Sequence, residues 1–223
     1  MAVGPWVAAC ALLCAAAAAA AAAADSNETR DFCPELQWQK NFDLDELMRM
    51  WYVVEVLEHR QPGGAAISRI DSCPVVQLQR LGETRLKLLW EEPAGVVEYH
   101  FRLPIAYTPG YWVAEGSPNS TLADHHGKRI AVHFSGDVHV MKAVYSHLVL
   151  TFCSAAEEKL WTIVLSPESS LSAVELRGVN KMLERRGLTL SNVRQTCGGA
   201  GSAPASAALA SLLLAAGVAA LAA

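Results

Sequence analysis

Seven histidines, six cysteines and a knot of serines are the residues whose types could carry chemistry in this chain of 223 residues. His133, His139 and His147 fall on strand-like stretches and His125-His126 on a polar one, which raises a metal or haem site. Such a site needs ligands held together at fixed spacing, a CxxC or HxxxH pair for example, and none occurs. These histidines read instead as solvated or hydrogen-bonded side chains, so neither metal nor cofactor is expected. Ser166, Ser169 and Ser170 precede a helical pattern, but no Gly-x-Ser-x-Gly turn or phosphate-cradling loop accompanies them. Serines placed there cap a helix, and no catalytic residue is expected.

The cysteines carry a structural chemistry. Cys10 and Cys14 lie in an apolar N-terminal stretch, leaving Cys33, Cys73, Cys153 and Cys197. An even set in an oxidising compartment implies two disulfides, with three pairings open. Both ends of the chain point to that compartment. Residues 1–24 hold no charged side chain, and polarity rises abruptly at Asp25-Ser26-Asn27. This is the profile of a secretory signal cut after Ala24, although the usual basic n-region is missing; an uncleaved anchor, which needs about 20 apolar residues, is the alternative. After Cys197 come Gly198, Gly199, a short spacer and an apolar run over residues 207–223. That order matches the signal for a glycosylphosphatidylinositol (GPI) anchor, with Gly198 and Gly199 as attachment points; a disordered tail or ordinary helix is the competing reading. Asn27-Glu28-Thr29 and Asn119-Ser120-Thr121 are glycosylation acceptors that fit a secreted surface. The expected organisation is a signal peptide over 1–24, one domain over 25–197 and an anchor signal over 198–223. The expected location is the outer face of the plasma membrane.

The domain must be built from what lies between. Eighteen basic against 22 acidic side chains give −4, no electrostatic footprint for nucleic acid. About 170 residues suffice for one domain with a core. Leu86, Leu88 and Trp90 alternate with Lys87, Leu89 and Glu91, and Val97, Tyr99 and Phe101 with Glu98, His100 and Arg102. Period two with one polar face defines half-buried antiparallel strands, joined by turns at residues 81–84 and 92–95. Further strands are expected over 51–58, 75–80, 111–115, 129–135, 138–145, 147–153 and 160–165. The period then changes. Ser172-Ala173-Val174-Glu175 is a capping box, Leu171 and Leu176 are placed as its hydrophobic staple, and Gly187 supplies the C-terminal stop. Leu176, Val179 and Leu183 give that helix an apolar stripe. Short strands followed by one late helix predict an all-β fold: an up-and-down antiparallel eight-stranded barrel with one C-terminal α-helix packed outside. A two-sheet sandwich shows similar periodicity.

Residues 41–52, with Trp51-Tyr52 opening a strand after a short turn, resemble the first sequence block of the lipocalin family. The four cysteines, the late helix and the polar extension over 188–196 are similar to the apolipoprotein D branch; the anchor signal adds a likeness to its anchored insect member, Lazarillo. The resemblance covers residues 32–197. It implies that Trp51 closes the base of a calyx and that Cys33 pairs with Cys153 and Cys73 with Cys197. Three positions depart from the pattern. Arg49 stands where the family has Gly, Lys142-Ala143-Val144 where it has Thr-Asp-Tyr, and Ser166 or Pro167 where an Arg stacks on the basal Trp.

In such a barrel the inward candidates are Leu88, Trp90, Tyr99, Phe101, Phe134 and Val140. Apolar burial at about 25 cal/mol per Å² is the driving force such a lining offers, so the expected partner is a small hydrophobic ligand, lipid-, retinoid- or pigment-like. The competing expectation is that these side chains fill a tight barrel. Two functions follow: a ligand carrier held at the outer leaflet, or an adhesion or guidance molecule whose barrel rim meets a cell-surface protein. An enzyme is the third, disfavoured for want of a nucleophile with a base.

Overall fold

Among the described residues the chain forms ten strands, of which β3 and β4 carry the alternation described above as buried and partly exposed positions. The computed structural model describes residues 33, 35–60, 70, 73–104 and 109–197. The expected signal peptide, Asn27, Gly198, Gly199 and the apolar tail lie outside the described residues. The strands are β1 (Met50–Arg60), β2 (Val75–Arg80), β3 (Arg85–Glu92), β4 (Gly95–Arg102), β5 (Tyr111–Ala114), β6 (Asn119–Ser120), β7 (Asp137–Val144), β8 (His147–Ser154), β9 (Lys159–Ser166) and β10 (Asn192–Gln195). β1 to β5 and β7 to β9 pair antiparallel in sequence order, and β1 pairs back onto β9, closing an eight-stranded barrel. Closure removes the exposed edges of a flat sheet.

β1 is long enough to have two partners on its other edge. Residues 50–52 pair with β2 and residues 55–58 with β10. The polar extension after the helix is thus a short strand that takes up the edge β2 leaves free.

One expected strand does not form. Apart from a bridge between Ala123 and Arg129, residues 129–135 run outside the named strands. His133, Phe134 and Ser135 are buried in succession, which a strand with one buried face cannot do. β6, beside β4, continues the barrel wall that β5 begins.

The base is closed as an up-and-down barrel requires. Trp51 is buried and its indole N–H donates to the Leu47 carbonyl at 3.0 Å. The guanidinium that covers it comes from Arg49, whose Cζ lies 4.1 Å from the Trp51 ring centroid and whose Nη2 donates to the Tyr145 carbonyl at 2.9 Å. Arg49, where the resembled pattern has Gly, thus puts over Trp51 a cation that residues 166–167 do not supply.

Outside the barrel lies helix α1 (Ala173–Arg185), opened by the Ser172/Glu175 capping box and closed by Gly187 at φ +81° with Leu188 N–H bonded to the Leu183 carbonyl. Its Val179 and Leu183 are buried in an outer core with Val54, Leu57, Val149 and Val164. Two disulfides fasten the ends. Cys33–Cys153 ties the N-terminal segment to β8, and Cys73–Cys197 ties the segment after β10 to the approach to β2.

Candidate functional site

The inward register of β3 holds Leu86, Leu88 and Trp90; β4 contributes Val97, Tyr99 and Phe101, and β7 Val138 and Val140. Phe134 enters the same core from the irregular segment before β7. All six sequence candidates therefore lie inside the barrel, with exposures of 0% for Leu88, Trp90 and Val140, 1% for Phe101 and Phe134, and 3% for Tyr99. They touch as well as face one another. Phe134 stacks on Phe152 at 5.2 Å and makes a T-shaped contact with Trp90 at 5.2 Å, and Tyr99 stacks on Phe101 at 6.3 Å. A ligand-sized hollow leaves accessible surface on its walls, and these walls have almost none. In this structure the candidates fill the space they enclose.

Two polar side chains stand among these rings: Glu92, which the sequence pattern did not single out, and His133, expected as a solvated or hydrogen-bonded histidine. Continuing the inward parity of Leu86, Leu88 and Trp90 by one step reaches Glu92, and His133 precedes Phe134. The imidazole Nε2 of His133 lies 2.5 Å from Oε1 of Glu92, both side chains wholly buried. The His133 ring lies 5.7 Å from that of Trp90. Glu92 Oε2 and Trp90 Nε1 are buried without a hydrogen-bond partner, an arrangement that costs roughly 1–3 kcal/mol per group. Burial also pushes the Tyr99 hydroxyl above the ordinary phenol range, with the Phe134 backbone opposing the shift.

The topology places this polar nest at the mouth. Strands alternate in direction from the base at Trp51, so the β3–β4 turn and the segment over residues 121–136 share the opposite end. Their contact is direct: Thr121 N–H donates to the Val96 carbonyl and Ala123 N–H to the Ala94 carbonyl, each at 2.8 Å.

Outside the barrel lies a groove of about 950 Å³ lined by Leu36, Gln37, Trp38, Tyr111, Asp137 and His139 among others. Trp38 stacks on Tyr111 at 5.4 Å, and the Tyr111 hydroxyl donates to Asp137 at 2.5 Å. A smaller cleft of about 210 Å³ sits at the base beside Arg49 and Tyr145. His147 is buried near the start of α1, and His125 and His126 are exposed in a loop. No group of three metal-ligating side chains comes together among the described residues. Asn119 is exposed on β6, open to modification.

No family model matches the chain and no curated protein matches it. Solved structures do. A biogenic amine-binding protein, as its selenomethionine derivative, is 15% identical over 74% of this chain and 86% of that chain, with a TM-score of 0.54. The tryptamine complex of the amine binding protein of Rhodnius prolixus is 15% identical over 74% of this chain and 85% of that chain, with a TM-score of 0.53. At that identity the likeness concerns the fold. The chain has a lipocalin-type calyx fold, an antiparallel eight-stranded barrel with one helix outside.

Proposed function

We propose that this chain is an extracellular, GPI-anchored lipocalin of the apolipoprotein D type that binds a small hydrophobic ligand within its barrel and catalyses nothing. The observation that carries the reading is the interior itself: a closed barrel lined by Trp90, Tyr99, Phe101, Phe134 and Phe152 that also buries the unpartnered oxygen of Glu92. Packing alone needs no such group, whereas a site that orients a ligand places a few polar atoms among apolar walls. Two proteins of the same fold are amine-binding proteins, one of them with tryptamine bound, which supports a small organic ligand. Because the interior is filled, the ligand enters by displacing Phe134, the one sequence candidate carried outside the barrel strands. The anchor and the glycans rest on the sequence of the two ends and on Asn119.

The test is direct. Full-length protein on the cell surface is treated with phosphatidylinositol-specific phospholipase C, and the released material is extracted and examined by mass spectrometry. Release together with a stoichiometric small molecule is expected. A protein that stays on the cells removes the anchor; one that carries nothing and shows no saturable quenching of tryptophan fluorescence by retinoids, fatty acids or amines removes the carrier reading.

The exterior groove favours a second reading, in which Trp38 and Tyr111 meet a cell-surface protein. Cell binding that survives blockage of the barrel interior and is lost on Trp38→Ala would decide for it.

A further inference from the structure

The side chains of two consecutive residues, His133 and Phe134, occupy the mouth end of the barrel as a pair. One sets a ring nitrogen 2.5 Å from Glu92; the other sets an aromatic ring 5.2 Å from Phe152, 5.2 Å from Trp90 and 6.2 Å from Trp161. Their own rings lie 6.0 Å apart. Neither residue belongs to a barrel strand. Both are carried in by the segment over residues 121–136, which is hydrogen-bonded at its start to the β3–β4 turn.

Take that pair away and the surface left behind has a definite chemistry. It presents a buried carboxylate, one oxygen of which has no partner even now, then the ring and unpaired N–H of Trp90, then a slot between Phe152 and Trp161. A carboxylate in an apolar site requires a cation or a strong donor. An indole face beside it adds a cation–π attraction, and the slot accepts a flat ring. A fatty acid would bring a second negative charge against Glu92, and a neutral retinoid would leave Glu92 unpaired. A protonated amine a short alkyl chain away from an aromatic ring satisfies every element of the site.

We infer that His133 and Phe134 are an internal stand-in for the ligand, and that the ligand is an arylalkylamine cation which takes their place when residues 121–136 lift from the mouth. This rests on the reading of the barrel as a binding chamber and names the class of molecule it takes. Gly136 ends the segment at φ +86°, where an added Cβ would lie 2.0 Å from the Cys153 carbonyl oxygen; the segment's fixed end against β8 is thus glycine by necessity. The stand-in competes with the ligand, so apparent affinity falls by the fraction of molecules in which the mouth is open.

The test titrates the full-length protein, purified in detergent, with tryptamine, indole, retinol and palmitate by calorimetry. The proteins compared are the wild type, an opened variant His133→Ala/Phe134→Ala, a gentler His133→Gln/Phe134→Leu, and the gentler variant with Glu92→Gln added. Near-UV circular dichroism establishes that each is folded, and the gentler variant serves if the opened one is not. Opening should tighten tryptamine binding about tenfold or more. Glu92→Gln should then weaken it about tenfold or more and leave indole unchanged. Equal tryptamine affinity in wild type and opened variants, no effect of Glu92→Gln, or indole bound as tightly as tryptamine overturns the inference. Uptake of retinol or palmitate without tryptamine overturns the amine assignment and leaves the chamber reading standing; folded variants that bind none of the probes overturn both.

Discussion

At Arg49 a single side chain takes over a role expected of another part of the chain. Its guanidinium covers Trp51 and bonds the Tyr145 carbonyl, joining the start of β1 to the β7–β8 turn. Arg49→Ala should cost roughly 0.5–2 kcal/mol, read from urea unfolding, while Arg49→Lys should recover only part of it because an ammonium lacks the planar fork. Full recovery by Lys would contradict that account. His59 carries a different prediction. Its Nε2 meets the Thr162 hydroxyl at 2.7 Å, next to Thr151 at 2.6 Å from that same hydroxyl. Burial lowers its pKa from 6.5 to about 4, with the Thr189 carbonyl opposing. The unfolded chain therefore takes up the proton first. Stability contributed by the neutral ring is complete above about pH 6.5, is lost as pH falls toward about 4, and changes no further below that. Burial likewise lowers His139 to about 4, against the opposing charge of Asp137. His59→Gln should remove roughly 1–3 kcal/mol of pH dependence across that window; an unchanged profile would show that other groups set it.

Among the elements, helix α1 and the mouth segment offer opposite lessons about glycine. Gly178 lies inside α1 with open space where a Cβ would stand, so Gly178→Ala should stabilise by about 0.5–1 kcal/mol, measured as a raised denaturant midpoint. Gly136→Ala should destabilise, because its Cβ would collide with backbone that β8 holds in place. The same elements show what the sequence made legible. β2 fell where alternation put it, and the helix was read from its capping box and terminal glycine, because both signals are local. Residues 129–135 imitate a strand because Ile130, Val132 and Phe134 alternate with Arg129, Ala131, His133 and Ser135; what buries His133, Phe134 and Ser135 in succession is the barrel they plug, a tertiary cause. β10 was missed for the complementary reason: three of its four residues are polar, and it is a strand only because β1 has an edge to offer. Glu92 lay one parity step beyond Trp90, so the signal for it was present in the alternation itself. The exterior groove at Trp38, Tyr111 and His139 joins segments far apart in sequence, and no local pattern reveals it.

At the largest scale, the described residues form a closed wall with two disulfides that span sequence separations of 120 and 124 residues. Bridges of that reach remove much of the freedom of the unfolded chain, so replacing either pair with alanines should cost roughly 2–5 kcal/mol. Loss of Cys73–Cys197 should also release the strand β10 from β1, seen as rapid amide exchange over residues 192–195. The wall separates two faces with different tasks: an outer face on β1, β8 and β9 that α1 covers, and an inner one that the ligand reading makes into a chamber. Methyl-labelled nuclear magnetic resonance separates them most directly, by adding tryptamine or retinol to the full-length protein and following the shifts of each wall. The account predicts saturable changes at the interior methyls of Leu88, Val140, Leu150 and Ile163, with Val149 and Val164 on the outer face unmoved. Changes confined to the outer face or to the groove beside Trp38, or none with any probe, would contradict it.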